Sequence, residues 1–396
     1  MRTNLLIRMS IADRMQGGGV AVSAAVDVGG YKPDELRMTS GFSCTSRHVR
    51  AHGRRVQRPV DGPARTTRAD TGGMQRPRHE EVAAFLARHS GGTASDLEPL
   101  TGGAWSSAWA YRAGEEELVI RFGPERSWYE TDRMAMAFSG PDLPVPQVRE
   151  VGTTPTGLAY AISVRHHGQF LEDTPVERAD AVAPTLTRLL VALHRVPASP
   201  GTPVMWHPAG APVRSWRELI LARLVDDPGN RAHGWRAALD ADPKLRALST
   251  AVCDRVRTLV AACPERRDLI HGDLLHGNVL VSPDCGRVQA VISWKHSLRG
   301  DFLYDTAWCS VWGPVFYPGI AAATTDPLSG LLQDPGLRAD QGALVDAAVR
   351  HHCYELQIGF THLGWSIWTW KQEHLTATAK LLAEILERGP LPSTGA

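Results

Sequence analysis

The chain has 396 residues, of which 43% are hydrophobic and 21% charged, enough for two or three units with a sizeable core, and its formal charge of +1 gives no global drive toward nucleic acid or membrane. Cys44, Cys253, Cys263, Cys285, Cys309 and Cys353 lie far apart with no CxxC pair, which argues against a zinc knuckle or a disulfide-dense scaffold and fits reduced thiols in a cytoplasm. No apolar run reaches about 18 residues, so no membrane-spanning helix is expected, and MRTNLLIRMSIADR is too interrupted by charge for a signal-peptide core.

Residues 1 to 73 stand apart, with Gly17 to Gly19, few aromatics and a basic run of Arg47, Arg50, Arg54, Arg55, Arg58, Arg65 and Arg68. Such a stretch buries too little apolar area to offset its chain entropy, so it reads as a disordered basic extension or as sequence upstream of a start at Met74. A nucleic-acid-binding arm is the weaker reading, because no aromatics interleave with the cations.

From there HEEVAAFLARH, residues 79 to 89, has helical apolar spacing at Val82, Phe85 and Leu86. Residues 97 to 113 and 115 to 123 read as two strands of a hairpin turning at Ala113-Gly114. A helix around Tyr129 to Phe138, the Pro-punctuated LPVPQVREVG and a strand in GLAYAISVRHHG complete a small sheet lobe over 74–165. The rest, 166–396, is mainly helical, with short strands only around Leu269 to Asp273, Val279 to Val281 and Val288 to Ser293. The expected class is α+β, a small N-terminal β-sheet lobe followed by a larger helical one.

The densest chemistry lies in LIHGDLLHGNVL, residues 269 to 280, where His271, Gly272, Asp273 and Asn278 fall between two short apolar runs. Phosphoryl transfer to a hydroxyl needs a carboxylate to orient or accept the alcohol proton and oxygen ligands to hold magnesium. Asp273 and Asn278, five residues apart, supply both from one loop.

Here the sequence resembles the aminoglycoside phosphotransferase family, whose loop is HGDxxxxN, followed by IDW and GDxxxD. The matching segments are HGDLLHGN, ISW at 292 to 294 and GDFLYD at 300 to 305. LPVPQV, SWREL, CPERRDLIHGD and YELQIGF place the pattern nearest the hygromycin B kinases. The resemblance implies a protein-kinase-like two-lobed fold with ATP in the cleft, Mg2+, and a hydroxylated small-molecule acceptor, in a cytoplasmic monomer. It implies Asp273 as catalytic base, Asn278 as a magnesium ligand, and His271 and Gly272 as shapers of the loop. Arg121 is expected against the ATP phosphates, oriented by Glu130 or Asp132. Gly102 and Gly103, with Ser106 and Ser107, form a turn suited to covering phosphates, and backbone near Ser163 to Arg165 would meet adenine. Asp301 and the preceding Gly300 are expected to buttress the loop, and helix-capping is the plain reading of Asp305.

One departure matters. The position before the hairpin Trp, a magnesium-chelating Asp in the family, is Ser293, followed by Lys295 and His296. A hydroxyl does not replace a carboxylate's charge, so the alternative is a catalytically impaired nucleotide- or ligand-binding relative. Lys295 would either contact phosphate directly or repel the metal. On the acceptor side Glu355, Trp365, Trp368, Trp370 and Glu373 are the candidate surfaces, and the sequence leaves the acceptor open.

Overall fold

The structure, a computed structural model, describes residues 76–391 apart from 102–105, 200, 205–214, 229–232, 341 and 370. The basic run of residues 47 to 68, the proposed start at Met74, the glycine pair Gly102-Gly103, and Trp370 therefore lie outside the described residues.

Helix α1 (His79–His89) precedes β1 (Ala94–Leu100), β2 (Ser107–Ala113) and β3 (Glu116–Gly123). The segment expected as one strand over 97–113 is thus two, and β1 doubles back antiparallel on β2. The glycine pair Gly102-Gly103 stands between the two strands, a turn signal that a single-strand reading passes over. Gly114, at φ +64°, turns β2 into β3 in the left-handed region where a side chain is disfavoured. Helix α2 (Arg126–Ala135) follows, then β4 (Val148–Thr153) and β5 (Ala159–Val164), giving an antiparallel sheet of order β1-β2-β3-β5-β4.

Side chains alternate across β3, and the two faces do different work. Leu118, Ile120 and Phe122 pack with Val82 and Leu86 of α1. Val119 and Arg121 point the other way, into the cleft. Burying Val82 and Leu86 contributes roughly 1.5–3 kcal/mol each.

The larger lobe opens with β6 (Gln169–Phe170) and α3 (Ala179–His194), then α4 (Trp216–Ala222), α5 (Trp235–Ala241) and α6 (Pro243–Leu259). Short strands follow: β7 (Asp268–Ile270), β8 (Val279–Val281), β9 (Val288–Val291) and β10 (Leu298–Gly300). The chain closes with α7 (Leu303–Phe316), α8 (Ala321–Thr325), α9 (Pro327–Leu332), α10 (Pro335–Ala339), α11 (Ala347–Trp368) and α12 (Gln372–Arg388). Strands pair as β6-β8-β9 and β10-β7, so the segment from His271 to Asn278 hangs between two anchored strands.

Helix α11 is the lobe's axle, with Arg350 through Ser366 all buried. Two of its buried polar side chains find strong internal partners. Arg350 donates to both Asp301 oxygens, at 2.8 and 2.7 Å, and Tyr354 donates to Asp301 Oδ2 at 2.8 Å. No helix of the described residues is long and apolar enough to cross a membrane.

Candidate active site

The loop between β7 and β8 is held by its own backbone and by α7. Asp305, in the first turn of α7, accepts the N–H groups of His271 at 2.7 Å and Gly272 at 2.8 Å. Gly272 sits at φ +76°, which favours glycine there. The expected buttress is thereby corrected: Asp305 braces the loop, whereas Asp301 clamps α11 through Arg350. Asp301 lies just before α7 and Asp305 within its first turn, and sequence spacing does not say which of them faces the loop. Asp305 does not cap α7, whose N-cap position is Phe302. Burial pushes its carboxyl up to about 7.

His271 is fully buried and tied at both ring nitrogens. Nε2 donates to Ile292 O at 3.0 Å and Nδ1 accepts from Asp273 N at 3.2 Å. Desolvation lowers its pKa, which favours the neutral ring that this pairing needs. Asn278 donates its amide hydrogens to the carbonyls of Asp273, at 2.7 Å, and Leu275, at 2.9 Å. With both donors engaged, Oδ1 is the acceptor left to face a cation.

The carboxylate of Asp273 is 3% exposed and flanked by two imidazoles. His276 Nδ1 lies 2.7 Å from Oδ1, and His296 Nε2 lies 4.0 Å from Oδ2. Neither histidine was singled out for this role from sequence, although His276 stands only three residues after Asp273. It adopts φ +69°, a left-handed conformation uncommon for a side-chain residue. Glu172 holds the far side of the loop by accepting from Gly277 N, and burial raises its carboxyl.

Across the cleft, Arg121 of β3 donates to Asp132 Oδ2 at 2.5 Å, and Asp132 Oδ1 accepts Trp294 N at 2.7 Å. This resolves the choice between the two acids: Glu130 instead pairs with Arg126, at 3.1 Å, and with Arg133 along the outer face of α2. Two residues along a helix turn a side chain by roughly 200°, so only one of the pair can face β3. One carboxylate thus joins β3, α2 and the turn after β9. Lys295 turns toward the other lobe, its Nζ 4.5 Å from the centre of the Trp128 ring, and is not among the residues lining the cleft.

A cavity of about 280 Å³ lies between the lobes, lined by Ala108, Val119, Phe170, Leu280 and Ile292 with Arg121, Asp132 and Ser293 at one end. Ser163 and Arg165 line it as well, but the Val164 and Arg165 amides already donate to Gln147 O and Glu117 O, both at 2.9 Å. An apolar slot ending in a guanidinium and polar groups suits a planar base bearing phosphates. The oxygen set suits a divalent cation less well, because Asn278 is neutral and Ser293 supplies a hydroxyl where charge is wanted.

A five-stranded lobe over a helical one, with this loop at their junction, defines the protein-kinase-like fold. The chain matches the model of the phosphotransferase enzyme family over residues 96–335, and it belongs to that family. It is 30% identical to hygromycin-B 4-O-kinase of Escherichia coli over 223 residues, 56% of this chain and 63% of that protein. The chain thus spans less than two thirds of the length of that curated relative. Among solved structures it is similar to aminoglycoside phosphotransferase APH(4)-Ia, at 25% identity and a TM-score of 0.64, covering 78% of this chain and 99% of that one. A thermostable variant of that enzyme in ternary complex with AMP-PNP and hygromycin B matches at 26% identity and a TM-score of 0.63, covering 77% and 98%.

Proposed function

We propose that this chain transfers the γ-phosphoryl group of ATP to a hydroxyl of a small molecule of the aminoglycoside type, hygromycin B being the first acceptor to assay. The observation that carries this reading is the Asp273 carboxylate, buried and oriented by His276 on the same loop that presents Asn278 Oδ1. Asp273 orients the acceptor hydroxyl and takes up its proton. Arg121, fixed by Asp132, offsets negative charge on the α- and β-phosphates, and the apolar walls of the cavity exclude water. Bound Mg2+, held by Asn278 with Ser293 as a weak neutral partner, would supply neutralisation of phosphate charge. We place the activity in the cytoplasm, in keeping with free thiols at Cys253, Cys263, Cys285, Cys309 and Cys353.

A second reading, a nucleotide-binding relative of low turnover, is favoured by Ser293 alone. Release of ADP measured with and without hygromycin B separates the two. The phosphotransferase reading expects acceptor-dependent release that Asp273→Asn lowers by roughly 100- to 10,000-fold; release that Asp273→Asn leaves untouched sinks it.

A further inference from the structure

One end of the nucleotide cavity is lined by Arg121, Asp132, Ser293 and Trp294. The catalytic loop is tied to the same wall through Ile292, whose N–H donates to Asn278 O at 2.9 Å and whose carbonyl accepts from His271 Nε2 at 3.0 Å. Asp132 is the only acid among the described residues that line the cavity, and both of its oxygens are taken. Oδ2 is held by Arg121 at 2.5 Å and Oδ1 by Trp294 N at 2.7 Å, so this carboxylate offers a cation little uncompensated charge.

The other oxygens suit a divalent ion no better. Asn278 presents a neutral amide oxygen, its N–H groups being spent on Asp273 O and Leu275 O, and Ser293 presents a hydroxyl. Asp273, the loop's one carboxylate, has Oδ1 bound by His276 at 2.7 Å and His296 Nε2 at 4.0 Å from Oδ2. Among the described residues no three His, Cys, Asp or Glu side chains converge as a metal cluster would. Hard divalent cations are held mainly by anionic oxygens, so this set holds one weakly.

The missing carboxylate acts on the nucleotide in the opposite sense. A polyphosphate entering a site with bare carboxylates is repelled until a metal ion bridges the two, because like charges a few ångströms apart interact strongly where water is scarce. At Ser293 that repulsion is gone, and the cavity instead turns toward the phosphates Arg121, fixed by Asp132. Its apolar walls, Val119, Phe170, Leu280 and Ile292 among them, hold a base by burial and need no metal to do so.

We propose that the cavity binds ATP as the free anion, with divalent metal adding little to its affinity, so that nucleotide binding and metal recruitment are separable at this site. The proposal rests on the nucleotide half of the phosphotransferase reading and is independent of turnover.

The test is calorimetric titration of the full chain with AMP-PNP, once in EDTA and once in excess Mg2+. The two Kd values are expected to agree within about threefold. Ser293→Asp is expected to weaken binding in EDTA roughly 10- to 100-fold, by setting a bare carboxylate against the phosphates, and to regain the loss in Mg2+. Ser293→Asn has that side chain's shape without its charge and is expected to lose less than about threefold in EDTA, which assigns the effect to charge. A wild-type Kd more than about tenfold weaker in EDTA overturns the proposal, as does Ser293→Asp binding like wild type in EDTA, or no binding in either medium. The wild-type comparison needs no variant, so it decides the matter even where Ser293→Asp fails to fold. Release of ADP is read separately. Metal-dependent affinity in a chain that releases ADP sinks the proposal alone, and metal-independent affinity with no release defeats the phosphotransferase reading alone.

Discussion

Ser293 occupies a backbone conformation, φ +68° and ψ +57°, that Asp and Asn adopt more readily than other side-chain residues. The turn therefore keeps a shape suited to the acid expected there while lacking its charge. Ser293→Asp is expected to tighten Mn2+ or Mg2+ binding tens- to thousands-fold, roughly the effect of a charge-assisted contact of about 2 to 4 kcal/mol, and to raise ADP release with it. Paramagnetic titration with Mn2+ reads the first and a coupled assay the second; unchanged metal affinity would show that the position no longer faces the metal. Asp305 offers a pH prediction at the same scale. Its folded pKa, about 7, lies above the unfolded value near 3.9, so between those limits the native state binds more protons and stability falls as pH rises. Asp305→Asn is expected to remove that decline, on the order of 4 kcal/mol, from unfolding curves measured at pH 4 to 7.

At the scale of elements, Asp132 is the pin that ties the sheet lobe to the turn after β9. Arg121 is 15% exposed and Asp132 7%, so deleting the acid strands a guanidinium that water reaches poorly. Asp132→Ala is expected to cost about 3 kcal/mol in chemical unfolding and to raise the KM for ATP. Asp132→Asn keeps an oxygen for Trp294 N and should cost less. Equal costs for the two variants would assign the loss to the charge that pairs with Arg121 and leave packing and the hydrogen bond to Trp294 without weight.

For the whole molecule, the cleft couples both lobes to nucleotide, so Mg·AMP-PNP at about 100 times its Kd is expected to stabilise the fold by about 2.7 kcal/mol, seen as a raised Tm. A Tm that ignores nucleotide would break the link between the cavity and ATP. Deleting residues 1–73 is expected to change ADP release less than about twofold, because every cleft-lining residue named above follows position 100. A larger loss would assign that segment a part in the reaction, and unchanged retention on a polyanion column would count against a nucleic-acid role.

The loop was legible from sequence because its chemistry is local. His271, Gly272, Asp273 and Asn278 lie within eight positions, and the short strands on either side are written into the apolar runs that flank them. The helical character of the second lobe was equally plain, since periodicity is a property of neighbours along the chain. The sequence left one choice open, Glu130 or Asp132 for Arg121, and misplaced two others: the buttress of the loop, expected at Asp301 and found at Asp305, and residues 97–113, expected as one strand and found as two. Each is decided by which side of an element meets another element distant in sequence, such as Asp132 against Trp294, 162 positions away.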